Sequence, residues 1–131
     1  MESSRREARE RAVSLLYEAE LKDQAPSEVL ADLPVAPDEF VIDLVRGVGE
    51  HRDRLDQVIT DHAIDWTLAR MPAVDRNILR LAVYELLERP DIPASAVLSE
   101  AVELAGRFGT DESTRFVNGL LAAVAKDVRP R

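Results

Sequence analysis

Residues 73–87, AVDRNILRLAVYELL, decide the fold. At 3.6 residues per turn, Val74, Ile78, Leu79, Leu81, Ala82, Val83, Leu86 and Leu87 lie nearly all round the helix, which leaves almost no face for water. Such a helix has to be surrounded by other elements. Met71-Pro72 ends one element and begins this one, and Pro90 and Pro93 delimit a tight loop after it. The spacing then predicts a helix over Ala94–Phe108, with Val97, Leu98, Ala101, Val102, Leu104, Ala105 and Phe108 apolar. Gly109 fits its C-terminal stop, and Thr110 caps a last helix reaching about Val128, with Val117, Leu120, Leu121, Val124 and Val128 turned inward. The tail Arg129-Pro130-Arg131 is expected to fray.

Upstream, Ile64–Leu68 reads as a short connecting helix. From Asp38 one long helix is predicted: Phe40, Val41, Leu44, Val45 and Val48 form a stripe that Leu55, Val58 and Ile59 resume, with His51 half-buried. Gly47 and Gly49 weaken it by about 1 kcal/mol each relative to Ala, and either let another helix approach closely or mark a bend. Ser27–Leu33 makes two turns before a connector bracketed by Pro34 and Pro37.

The chain opens on residues 4–21, SRREARERAVSLLYEAEL. Ala8, Ala12, Leu15, Leu16 and Ala19 share one helical face, and Arg5, Arg6 and Arg9 fall on an arc of about 100° beside it. Ser4-x-x-Glu7 has the form of a capping box, which starts the helix at Arg5. Three cations in the first two turns sit at the end of the dipole that disfavours them, which points to an anionic partner. A plain solvated face, with Glu10 balancing charge, is the competing interpretation. No alternating strand pattern and no repeat occurs, so the sequence predicts an all-α fold of about seven helices.

The chain has 131 residues, no cysteine and a net charge of −8. Disulfides, thiolate metal sites and thiol nucleophiles are excluded. No apolar run approaches the roughly 20 residues of a membrane span, and no secretory leader is visible, so a cytoplasmic protein is expected. Residues 1–11 hold four Arg against three Glu, leaving the other 120 residues at −9. Nucleic-acid contact on such a chain is expected to be local, one docked strand rather than a broad basic sheet.

Catalysis has little support. His51 and His62 are eleven residues apart on one predicted helix, about 16 Å along its axis, too far to share a metal. No HExxH, phosphate-cradling glycine loop or GxSxG elbow is present. Neither an enzyme nor a cofactor nor a metal is expected. The last helix carries a subtler signal: Arg115, Phe116 and Asn118 beside Gly119. An edge aromatic with an amide and a guanidinium can stack a base and read its edge. Equally, Phe116 can be core, Gly119 can permit close helix packing and Asn118 can bond a neighbouring backbone.

Several blocks resemble the NusB family of bacterial transcription antitermination factors. Arg5-Arg6-x-Ala8-Arg9, running into Ala12-Val13-x-Leu15-Leu16-Tyr17, looks like that family's arginine-rich opening. More specific are Val74-Asp75-Arg76-x-Ile78-Leu79-Arg80-x-Ala82-x-Tyr84-Glu85-Leu86, Ser99–Ala105, Phe108–Ser113 and Phe116–Leu121. The likeness covers residues 5–21 and about 66–125; between them only the helical pattern matches.

The resemblance implies two three-helix bundles, divided at about residue 65 (about 4–65 and 66–128), within a single unit over 1–131. It implies binding of the boxA RNA of ribosomal RNA leaders together with NusE, a small-subunit ribosomal protein, in an antitermination complex on RNA polymerase. By position, Arg5, Arg6 and Arg9 would contact RNA, Tyr17 and Phe116 would lie at its surface with Arg115 and Asn118 close by, and Asp75 and Arg76 would face NusE. The chain departs from the family at Glu7, where a basic residue is common, and at Ser99, where Asn is usual. The alternative is a helical homodimer or protein-binding adaptor with a weak or masked RNA site. A NusB-like domain also occurs in rRNA cytosine methyltransferases, but those need a nucleophilic cysteine that this sequence lacks.

Overall fold

The computed structural model describes residues 4–130, and every regular element among them is helical. The order is α1 (Arg5–Leu21), α2 (Pro26–Ala31), α3 (Glu39–Glu50), α4 (Arg52–His62), α5 (Ala73–Glu88), α6 (Ala94–Phe108) and α7 (Asp111–Val128), with one 3-10 turn, Leu68–Arg70, before α5. The all-round apolar helix is the hub: α5 packs against α1, α3, α4, α6 and α7, and Ile78, Leu79 and Val83 are wholly enclosed. The packing fits two three-helix groups, α1–α3 and α5–α7, with α4 lying across α5 and α7. Their buried apolar side chains form one continuous cluster.

Enclosing α5 also buries its polar residues Asp75, Asn77, Arg80 and Glu85, and buried polar groups need partners. Arg80 pairs with Asp56 of α4 at 2.7 Å. Glu20 of α1 takes Arg76 at 2.8 Å and Arg80 at 3.5 Å. Burial pushes the Glu20 carboxyl up, but the hydrogen bond and charge of Arg76, then Arg80 and Asn77, outweigh it and hold it below its ordinary range. Tyr84 donates to Asp43 of α3 at 2.7 Å.

The single long helix expected from Asp38 is two helices. Gly47 meets α5 so closely that a Cβ would come within 2.2 Å of the Tyr84 ring, and the His51 ring sits 5.9 Å from the same ring. At His51, with φ −106° and ψ 14°, the chain leaves α3 and starts α4 in a new direction. His51 is half-buried, as its place on the stripe predicts. His62, at the end of α4, contacts Val58 O through Nδ1 and Asp127 of α7 through Nε2 at 2.5 Å.

Residues 64–67 are not a helix. Asp65 takes a left-handed φ of 63°, a conformation no helix continues through, and Ile64 and Trp66 are exposed. Arg129 does not fray: its guanidinium donates to the carbonyls of Glu85, Leu86, Arg89 and Ile92, closing the C-terminal turn of α5. Arg131 lies outside the described residues. No described helix is long and apolar enough to cross a membrane.

Candidate nucleic-acid interface

The residues expected to meet RNA fall into two patches. The first is the opening of α1. Ser4 Oγ accepts from the Glu7 amide at 3.1 Å and starts the helix at Arg5. The Glu7 carboxylate meets the Ser4 hydroxyl rather than the Ser4 amide, so only half of the expected box forms.

Behind that cap the three arginines have separate fates. Arg9 is 4% exposed, and its guanidinium forks onto Glu85 of α5 at 2.7–3.2 Å. It is a buried structural cation, which corrects its expected place on the RNA face. The cause is tertiary: Glu85 is sealed inside the hub helix and needs a cation, and Arg9 is the α1 residue facing it. Arg6 is half-exposed but tethered to Glu100 of α6 at 3.1 Å, with Glu103 at 3.9 Å. The hydrogen bond and charge of Glu100 raise its pKa further above the ordinary arginine value. Arg5 is exposed and carries no ion pair among the described residues; its guanidinium lies 4.9 Å from the centre of the Phe40 ring. Arg9 and Arg89 approach the same ring at 5.5 and 5.2 Å, so Phe40 anchors a small cationic cluster through its negative faces. Tyr17 is half-buried two turns further along.

The second patch is built where α7 begins. Thr110 Oγ1 accepts from the Ser113 amide and the Ser113 hydroxyl accepts from the Thr110 amide, a reciprocal cap. Ser113 also donates to Asp75 Oδ2 at 3.0 Å, locking α7 to the first turn of α5. From this start α7 leaves Arg115 and Asn118 exposed and Phe116 half-buried at the edge of the core. Phe116 meets Trp66 edge to face with centroids 6.4 Å apart, and Arg70 lies 5.8 Å over Trp66. Sequence reasoning did not single out Trp66 or Arg70. A tryptophan among polar residues after a helix end was the available signal.

Beside Phe116 is a hollow of about 290 Å³ walled by Trp66, Met71, Pro72 and Ser113, with Asp75 in its lining. Asp75 is buried, and its Oδ1 has no hydrogen-bond partner among the described residues. Burial lifts its pKa above the usual carboxylate value, opposed by the Ser113 hydrogen bond. Asp75 is therefore a buried residue that lines this hollow rather than one standing free on the surface. The Arg76 guanidinium, mostly buried, is held by Glu20 and by the carbonyls of Leu68 and Met71 and is not free for a partner.

The patches lie toward opposite ends of α5, since Arg9 reaches residue 85 and Ser113 reaches residue 75; ten helical residues span about 15 Å.

The NusB family model matches residues 6–126. The transcription antitermination protein NusB of Acidothermus cellulolyticus is 50% identical over 125 residues, covering 92% of this chain and 86% of that protein. Its counterpart in Thermobifida fusca is 50% identical over 123 residues, covering 91% and 87%. Among solved structures, T. maritima NusB superposes with a TM-score of 0.86 at 36% identity, covering 97% of this chain and 94% of that one. A second match is a chain in the crystal structure of the antitermination factors NusB and NusE in complex with double-stranded RNA, with a TM-score of 0.80 at 28% identity, covering 94% and 96%. With the all-helical hub fold, the arginine-rich first helix and these matches over nearly its whole length, the chain belongs to the NusB family.

Proposed function

We propose that this protein is a non-catalytic, RNA-binding adaptor of transcription antitermination, acting in the cytoplasm. It would bind boxA RNA of ribosomal RNA leaders together with NusE, within a complex on RNA polymerase. The observation that carries this reading is the whole-length match to a chain crystallised with NusE and RNA. Arg5 and Arg6 at one patch, and Arg115, Phe116 and Asn118 at the other, are the residues proposed to meet the strand, with Tyr17 beside them. Arg5 and Arg115, without ion pairs among the described residues, offer free charge; Arg6 has to exchange carboxylates for phosphates. Asp75 Oδ1, unpartnered at the wall of the Trp66–Phe116 hollow, is proposed to take a donor from NusE, whereas Arg76 holds the turn behind it.

Three accessible guanidiniums on a single strand give a log–log salt slope of about −2. The test is a titration of labelled boxA RNA with and without NusE at two salt concentrations, repeated with Arg5→Ala and Arg6→Ala together. Loss of affinity and a shallower slope support the reading. A homodimer in size-exclusion chromatography that ignores both RNA and NusE overturns it in favour of a self-associating helical adaptor.

A further inference from the structure

We propose that the hollow over Gly119 on α7 seats one nucleobase of the bound strand against bare helix backbone. The proposal rests on the RNA-binding reading above and assigns it a subsite.

Glycine in a helix interior is about 1 kcal/mol less favourable than alanine, and a close neighbouring helix is its usual reason. Among the described residues no such neighbour exists: nothing lies within 4 Å of where a Cβ would stand. Asn118 beside it is exposed and makes no hydrogen bond to a neighbouring backbone. Both intramolecular explanations for this Asn-Gly pair therefore fail. What the glycine does is keep the floor of a hollow of about 330 Å³ flat, between Phe116, Arg115, Ile64 and Leu120. A planar group can approach the helix there as closely as Cα permits, the use glycine has wherever backbone must meet a ligand.

The walls select the occupant. Ile64 is 79% exposed and presents an apolar edge, Phe116 offers a ring, and Arg115 supplies a positive charge for a flanking phosphate. No carboxylate lines this hollow. The hollow on the other side of Phe116 contains Asp75 and Glu112, and the one between α1 and α3 contains Glu7, Glu10 and Asp38. His62 lines this hollow too and engages Asp127 at 2.5 Å, so the carboxylate next to this wall is already paired. On a chain of net charge −8, a polyanion settles where the acids are absent.

The experiment uses Gly119→Ala and Gly119→Leu in the full chain. Each is melted, titrated with fluorescein-labelled boxA RNA with NusE present, and titrated with NusE alone. Both variants should melt at or above the wild-type temperature, because the new side chain enters open space. RNA affinity should fall about tenfold in Gly119→Leu, within the range for losing one stacked base, and less in Gly119→Ala, with NusE affinity unchanged. Wild-type RNA affinity in Gly119→Leu overturns the subsite and leaves the RNA-binding reading standing. Loss of NusE binding instead assigns the hollow to the protein partner and overturns it too. Failure of the wild-type protein itself to bind RNA removes the reading and the subsite together.

Discussion

The first turns of α1 and of α7 make an instructive pair. Both begin at a hydroxyl cap; α1 carries four guanidiniums, Arg5, Arg6, Arg9 and Arg11, and α7 carries one, Arg115. α1 has the larger number, yet Arg9 is sealed against Glu85 and Arg6 is tethered to Glu100. α7 opens on Asp111 and Glu112, unpromising for an anion, yet it leaves Arg115 and Asn118 uncommitted beside an aromatic pair. The charge a helix can offer a ligand is what remains after the fold has taken its share. An acidic protein takes a large share, because its buried and half-buried carboxylates compete for the same cations.

The strongest way to break this contrast is Arg9→Ala. Stranding Glu85 inside the hub should destabilise the protein by about 3–5 kcal/mol, read from urea unfolding, whereas Arg5→Ala should stay within about 0.5 kcal/mol of wild type. An Arg9→Ala protein of normal stability that fails only in RNA binding would return Arg9 to the ligand face. Next in size is Phe116→Leu, which keeps apolar volume but loses the ring. RNA affinity should drop by about 1–3 kcal/mol in the same titration, and an unchanged value would reduce Phe116 to core.

Asp75→Asn probes how α7 docks. Because the folded-state pKa of Asp75 is raised, its charged form is disfavoured in the folded protein. Stability is then fully retained below the unfolded-state value near 3.8 and declines as pH rises through the higher folded one. Asn mimics the protonated form. The variant should gain up to about 1–3 kcal/mol at neutral pH, with the gain shrinking as pH falls toward 3.8. A flat difference between pH 3.5 and 7 would mean that Asp75 finds a partner. The smallest effect belongs to Glu100→Gln combined with Glu103→Gln. Releasing Arg6 should strengthen RNA binding a few-fold and steepen the salt slope by about 0.7, with stability nearly unchanged.

Most of the fold was legible because burial imposes periodicity: the all-round apolar run at 73–87 could only be a hub, and the α6 and α7 stripes follow it. The break at His51 was signalled only as a close approach or a bend at Gly47 and Gly49; its place was not legible, since the residue that meets Gly47 is Tyr84, 37 positions away. The site was half legible. Spacing located Arg5, Arg6 and Arg9 on one flank but said nothing of which carboxylate waits opposite each, and Glu85 and Glu100 lie 76 and 94 positions from their partners. Trp66 and Arg70 went unnoticed because they sit in an irregular segment, where no period marks a face.

The C-terminal turn of α5 receives Arg9 from one direction and Arg129 from the other, contacts that close separations of 76 and 44 positions on the same residue, Glu85. Neither long loop can be shut until that turn exists, and loop closure is entropy spent before any contact returns it. If that junction is already formed in the folding transition state, mild substitutions there should slow refolding more than they hasten unfolding, and stopped-flow refolding and unfolding rates of such variants decide it.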